Sequence, residues 1–316
     1  EFTRDAVAAV SPVPVHHIRL PISVPSSPTP YTKKQAGLPE GFVFLFTFDF
    51  NSVMKRKNPV DVLTSYTSAF GPNDGAHLVI KSINGKHQKT ELAKLRFLAA
   101  HRPDVIIQDG YLTAGLVQAQ IELSDCFVSL HRSEGYGLNI AAAMAAGKPA
   151  ISTGYSGNMT FTSPDYPFLV PYELEPVGDN AHPYDPKAMW AQPNLAAAAN
   201  IMRSVFDNYS QALQHAEQEK LLIPGIRTSL GQQLHSWFAE KNLNVSILGE
   251  FDDAAMMKAF GYFKRGIFVA PSIYRHDILS QGMVLLGATT DIKEEYHVMF
   301  AERMIQCSEM KAYVDK

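Results

Sequence analysis

Ser129-Leu-His-Arg-Ser-Glu-Gly-Tyr-Gly-Leu-Asn-Ile-Ala-Ala-Ala-Met-Ala-Ala-Gly-Lys-Pro-Ala-Ile151 holds, in one run, the end of a strand, a glycine-rich turn, a helix and the start of a second strand. The apolar stretch Cys126–Leu130 runs into Gly135 and Gly137, and a helix is expected to open at about Leu138. Glycines at such a turn let backbone amides approach a ligand at the positive end of a helix, which makes an anion site. Glu134 stands just before them as an acceptor-only group suited to a sugar hydroxyl. Past the helix, Lys148-Pro149 begins the next strand, and Thr153-Gly-Tyr-Ser-Gly-Asn-Met159 forms a second glycine-rich loop, with Gly157 expected to open another short helix. Two such loops at the carboxyl ends of neighbouring strands are where an open α/β sheet takes its ligand.

Working outward, the same alternation covers much of the chain. Short apolar runs occur at Phe42–Phe48, His77–Ile80, Val105–Ile107, Cys126–Leu130, Pro149–Ser152 and Phe168–Val170. Helices are expected near 59–70, 89–101, 112–122, 138–146 and 193–218. Strands separated by helices of that length imply right-handed βαβ units and a doubly wound parallel α/β sheet. Ahead of it, a helical stretch from Phe2 to Val10 leads into the proline-rich run Pro21–Pro30, which reads as a connector. Behind it lies a second, smaller α/β half-domain. Its expected strands are Leu221–Ile223, Val245–Leu248, Ile267–Ala270, Val284–Leu286 and Glu295–Phe300, the first three forming a parallel unit; its helices are Thr228–Lys241, Asp253–Tyr262 and a charged C-terminal one. The domain plan is therefore 1–40, 41–217 and 218–316.

Bulk properties narrow the function. With 28 basic and 31 acidic residues among 316, no strong field favours nucleic acid or a membrane surface. No apolar run approaches a membrane span, and no basic-then-apolar leader opens the chain, so the cytoplasm is expected. The start at Glu1-Phe-Thr-Arg4, without an initiator methionine, suggests a truncated piece. The two cysteines, Cys126 and Cys307, sit in apolar patterns and read as reduced, inert thiols. No metal site and no cofactor are expected. His131 reads as a packed strand-end histidine in preference to a catalytic one, and Trp190 and Trp237 as core or domain-contact anchors.

Taken together, Ser133-Glu-Gly-Tyr-Gly-Leu138, Ala143-Met-Ala145 and Gly147-Lys-Pro149 resemble the donor-site signature of retaining group 1 glycosyltransferases, which have two Rossmann-like domains. Phe48-Asp-Phe50, Arg56-Lys-Asn-Pro59, Ser129-Leu-His-Arg132, Thr153–Met159, Phe168-Leu-Val-Pro-Tyr172 and the neighbourhood of Trp190 are similar to a bacterial subgroup. The likeness covers about residues 1–217 and implies the B-type C-terminal half, with 1–40 the end of the acceptor domain and the interdomain linker. It implies that Lys57 sits on the diphosphate of a sugar nucleotide and, with Glu134, serves catalysis. Glu134 would bond hydroxyls of the transferred sugar. Gly135, Tyr136, Gly137 and Leu138 would offer backbone amides, and Ser156, Gly157, Asn158 and Met159 would line the same pocket. The implied partners are a nucleotide sugar and an acceptor such as a growing polysaccharide or a lipid-linked glycan.

The chain departs from that pattern in four places. Ala142 stands where a second glutamate usually grips the ribose diol, a loss of about 1.5–3 kcal/mol per hydrogen bond. Asp49 lies near the usual position of an arginine that accompanies the lysine, with Arg56 a candidate replacement. Thr160 takes the place of an acid. Finally, such a transferase works in a cleft between two domains, and the acceptor domain is expected to be missing. Separately, the stretches Leu221-Leu-Ile-Pro-Gly225, Leu230–Phe238, Val245–Gly261, Ile267-Phe-Val-Ala-Pro271 and Glu294–Ile305 resemble the effector-binding domain of a LysR-type transcription regulator over about residues 220–316. Two functional expectations follow: a donor-binding glycosyltransferase domain of impaired activity, or a non-enzymatic chimeric scaffold or ion-responsive regulatory fragment.

Overall fold

A computed structural model describes residues 2–13, 15, 29–179, 181–222, 266–272 and 282–288. Two compact units divide the chain: residues 22–226, and residues 1–21 together with 227–316.

The larger unit is built on a six-stranded, wholly parallel sheet. Its strands are β1 (Phe42–Asp49), β2 (Ala76–Ile83), β3 (Val105–Asp109), β4 (Cys126–Ser129), β5 (Ala150–Thr153) and β6 (Leu169–Val170), in the order β3-β2-β1-β4-β5-β6. All six expected strands are present. The order reverses between β1 and β4, and such a switch point opens a crevice beyond the carboxyl ends of the two strands. Val43, Phe44, Leu45 and Phe46 along β1 are each at most 1% exposed. A strand covered by helices on both faces buries consecutive side chains, which explains an unbroken apolar run without alternation.

Helices α2 (Met54–Lys57), α3 (Pro59–Ala69), α4 (Lys89–Leu98), α5 (Ala114–Leu123) and α6 (Leu138–Ala145) join the strands, and α7 (Leu195–Asp207) and α8 (Tyr209–Leu222) follow them, α7 packing on α3. Pro59 opens α3, a position where its missing N–H costs nothing. The Thr113 hydroxyl caps α5 by accepting from the Leu116 amide, and the Asn194 side chain caps α7 by accepting from Ala197. At the amino end of β1, Phe42 packs edge-on against Phe206 and Tyr209, with ring centroids 5.1 and 5.0 Å away. Those contacts fix the turn between α7 and α8 beneath the sheet.

Three features differ from the sequence expectation. The single helix expected over 193–218 is two, because Asn208 leaves helical geometry (φ −124°) and its carbonyl starts α8. The strand expected at Leu221–Ile223 begins as helix: α8 continues through Leu222, since the preceding Ala-Glu-Gln-Glu-Lys run favours helix propagation over a three-residue apolar run. An antiparallel hairpin, β7 (Tyr172–Pro176) and β8 (Met189–Pro193), also stands where no strand was expected.

The smaller unit contains α1 (Phe2–Ala8) and the antiparallel pair β9 (Gly266–Ser272) and β10 (Gly282–Ala288). Both strands were expected, but Ile267–Ala270 was expected in a parallel unit, and among the described residues it pairs antiparallel with β10. The segments Thr228–Lys241, Val245–Leu248, Asp253–Tyr262 and Glu295–Phe300 and the C-terminal helix, with Trp237 and Cys307, lie outside the described residues. No helix among the described residues is long and apolar enough to cross a membrane.

Candidate functional site

Both loops singled out from the sequence leave the sheet beside the switch point. Gly137, at φ +91°, is the residue from which α6 starts, in the left-handed region that favours glycine. Gly157 is required for a different reason. A Cβ there would lie 2.2 Å from the Gly135 carbonyl oxygen, so the two loops touch backbone to backbone. Cross-bonds hold them: the Glu134 amide donates to Ser156 Oγ at 2.8 Å, and the Gly157 amide donates to the Glu134 carbonyl at 3.0 Å. Ser156 has φ +75°, a strained conformation for a side chain with a Cβ, and its hydroxyl's bond to the Glu134 amide helps to hold it.

Glu134 is thereby aimed at the turn that follows β1. Its Oε1 accepts from Lys57 Nζ at 2.5 Å, and its Oε2 lies 3.5 Å from Arg56 Nη1, with the carboxylate only 11% exposed. Burial alone would raise the carboxyl pKa. The charges of Lys57 and Arg56 outweigh it and hold the group at about 2, against an ordinary 4.5. Glu134 is therefore ionised at neutral pH. Arg56, whose place the sequence left open, is buried in the crevice wall; its Nη1 donates to the Ser133 carbonyl at 2.8 Å. Arg56 Nε is buried with no hydrogen-bond partner among the described residues.

The remaining predicted residues divide by what faces the crevice. Leu138 and Ala142 share the partly exposed face of α6, one turn apart. Asn139 ties that helix to β1 through a 2.8 Å bond to Thr47 Oγ1, which sets the width of the opening. The Tyr136 ring turns inward and packs on Phe161 at 5.0 Å, so any ligand role falls to its backbone. Asn158 is wholly buried: its amide donates to the Thr153 carbonyl at 2.9 Å, and its Oδ1 lies 3.2 Å from His131 Nε2. It braces the loop from behind. Met159 lies beside it, with Sδ 3.9 Å from the Asn158 amide nitrogen.

His131 is fully buried and bonded at both ring nitrogens. Nε2 faces the Tyr155 carbonyl and Asn158 Oδ1, both acceptors, so it carries the proton, and Nδ1 accepts from Ser129 Oγ at 3.1 Å. Burial, opposed by Glu134, lowers its pKa, and the ring is neutral. That is the packed histidine expected. Trp190, 2% exposed, is the expected core anchor, and Cys126 is fully buried with its thiol pKa pushed up by burial. One residue quoted in the sequence was given no role there. Arg132, two positions before Glu134, bonds to the backbone of the turn carrying Arg56 and Lys57. The signal was an arginine inside a motif that otherwise reads as apolar, small or acidic.

Comparison with known proteins agrees with this architecture. Residues 43–171 match the family described as glycosyl transferases group 1. The fold is similar to that of Staphylococcus aureus TarM, solved as a point mutant with fondaparinux, α-GlcNAc-glycerol and UDP: TM-score 0.50 at 13% identity, covering 75% of this chain and 41% of that one. It is also similar to apo OtsA, with TM-score 0.50 at 10% identity, covering 70% of this chain and 48% of that one. A separate likeness is to the transcriptional activator NhaR of Escherichia coli K12, 54% identical over 91 residues, which is 28% of this chain and 30% of that protein. The chain thus spans under half of each of these relatives. Within it, residues 43–171 match the group 1 glycosyl transferases, the fold is the B-type Rossmann-like one, and a further stretch is similar to a LysR-type regulator.

Proposed function

We propose that the switch-point crevice binds a nucleoside-diphosphate sugar as the donor for a retaining glycosyl transfer. The observation that carries this reading is the charge balance at Glu134: two cations, the buried Arg56 and the partly buried Lys57, face one carboxylate, and Arg56 Nε is unpartnered among the described residues. One positive charge remains after the carboxylate is paired, at the opening of α6, whose first amides point along the positive end of the helix dipole. A diphosphate answers both features. Glu134, ionised and acceptor-only, then takes hydroxyls of the sugar.

In the reaction, the bond from the anomeric carbon to the diphosphate oxygen breaks and its electron pair stays with the diphosphate. Lys57, Arg56 and the α6 amides stabilise that developing charge. The acceptor hydroxyl adds to the anomeric carbon on the same face, and its proton passes to the departing phosphate. The TarM structure of similar fold was solved with UDP, which favours the same ligand class.

Ala142 weakens the site. A carboxylate there would lie one helical turn beyond Leu138 on the crevice face, so its absence lowers donor affinity by about ten- to a hundredfold. The donor domain is taken as residues 41–217 after a linker within 1–40, with the regulator-like tail at 218–316, and the chain as cytoplasmic.

Thermal unfolding with a panel of nucleoside diphosphates and their sugars tests the proposal. Ligand at ten times its dissociation constant stabilises by about 1.4 kcal/mol, roughly 3–6 °C for a domain of this size. Lys57→Met, weakening binding about tenfold, should cut that stabilisation to about 0.4 kcal/mol at the same ligand concentration. The match to NhaR favours a second reading, a non-enzymatic chimera, for which no member of the panel at millimolar concentration shifts the transition.

A further inference from the structure

Helix α2 carries both cations of the crevice, yet it is only four residues long and is bounded by two left-handed residues, Val53 (φ 46°) and Asn58 (φ 62°). A β-branched residue in that region is strained, and a single helical turn does not sustain itself. Something outside α2 must hold it. Arg132 does so from the loop that delivers Glu134. Its backbone amide donates to the Arg56 carbonyl at 2.9 Å and its Nη1 to the Lys55 carbonyl at 2.7 Å. Nη2 donates to Asp61 Oδ2 at 3.0 Å, in the first turn of α3, and to Gln192 Oε1 at 2.5 Å on β8. The guanidinium lies over the Trp190 ring, 5.7 Å from its centroid. Lys55, on the same ring at 5.3 Å, donates from Nζ to the Val177 carbonyl at 2.8 Å, so the hairpin grips α2 at a second point.

Resting on the donor-site reading above, we infer that Arg132 is a positioning residue of this site: it pins the α2 turn to the hairpin and to α3 so that Lys57 and Arg56 stand against Glu134. One loop thereby fixes both partners of the ion cluster, the carboxylate directly and the cations through their backbone. A lysine cannot replace it, because one ammonium is a point donor and cannot span the three acceptors (Gln192 Oε1, the Lys55 carbonyl and Asp61 Oδ2) that the planar fork and its Nε reach with four hydrogen bonds. The groups that face Glu134 are Lys57, Arg56 and His131; those that face the guanidinium are Asp61 and Glu175.

A merely structural Arg132 would lower stability without changing how Glu134 titrates in the folded chain. The test compares Arg132→Met, Lys57→Met and the double variant. The probe is whichever of uridine, guanosine, adenosine and thymidine diphosphate the unaltered chain binds best, with affinity measured by calorimetry. Each single substitution should weaken binding about tenfold, and the double variant should lie within about threefold of Lys57→Met alone, since Arg132 acts through the turn that carries Lys57. In parallel, the Glu134 side-chain carboxyl carbon, followed by NMR in the ligand-free chain, should titrate about one pH unit or more higher in Arg132→Met, towards the ordinary glutamate range. Losses that multiply in the double variant, or a Glu134 titration that does not move, overturn the inference. Should Arg132→Met fail to fold, Gln192→Met, which frees the fork while keeping its charge, is put through the same two measurements. If the unaltered chain binds none of the four diphosphates, the donor-site reading falls, and the Glu134 titration alone then decides the role of Arg132.

Discussion

Glu134→Gln separates the electrostatic argument from a purely steric one. The carboxyl group titrates at about 2 in the folded chain against an ordinary 4.5. At 1.36 kcal/mol per unit of pKa, that difference amounts to about 3 kcal/mol of stability at neutral pH. The sign follows from proton binding. Below pH 4.5 the unfolded chain takes up a proton that the folded chain refuses, so this contribution is complete above 4.5 and is lost as pH falls towards 2. Roughly half of it is gone near pH 3. Glutamine keeps the shape and removes the titration. Urea unfolding followed by circular dichroism should therefore find the variant less stable by about 3 kcal/mol at neutral pH, with the gap narrowing as the solution is acidified. The variant also leaves Arg56 and Lys57 without their carboxylate, so a bare nucleoside diphosphate should bind it at least as tightly as it binds the unaltered chain, while the preference for the nucleotide sugar is lost. A gap that stays constant from neutral pH to about pH 3 would refute the claim that the two cations hold this carboxylate ionised.

Three further outcomes are expected. Ala142→Glu, on the half-exposed face of α6, should tighten ribonucleoside diphosphates by about ten- to a hundredfold and their 2′-deoxy counterparts far less, as read by calorimetry. Gly157→Ala should cost about 1–3 kcal/mol in urea unfolding and weaken diphosphate binding, because the new Cβ would meet the Gly135 carbonyl at 2.2 Å. His131→Asn should remove a pH dependence: burial lowers the folded histidine pKa, so the unaltered chain loses stability as pH falls below the ordinary 6.5, and the variant should not show that slope between neutral pH and the glutamate range.

The sheet was legible because each strand is an apolar run between turn residues, and all six runs became neighbouring parallel strands. The turn at Glu134 was legible because Gly135 and Gly137 follow an apolar run, and α6 opens at Gly137 as expected; the donor role of these residues came only from the resemblance. Arg56 and Lys57 were harder: sequence shows a basic cluster but not which cation faces inward, and burial of Arg56 against Glu134 depends on the left-handed turn at Asn58. The β7–β8 hairpin was missed since Tyr172-Glu-Leu-Glu-Pro176 has a largely exposed face and a proline, and its pairing is set by contacts across the hairpin and by Trp190 packing beneath it. The side chains of Tyr136, expected to offer only its backbone amide, and of Asn158, expected to line the pocket, point into the core and support the loops from behind.

The central claim is that the diphosphate of a sugar nucleotide lodges between Lys57, Arg56 and the opening of α6. Amide NMR of the labelled chain during titration with a nucleoside diphosphate tests it most directly. Gly135, Gly137, Leu138 and Gly157 should shift together along one saturating curve, which Lys57→Met should move to about tenfold higher ligand concentration. Saturable shifts confined to other parts of the sheet, with these four amides unmoved, would contradict it.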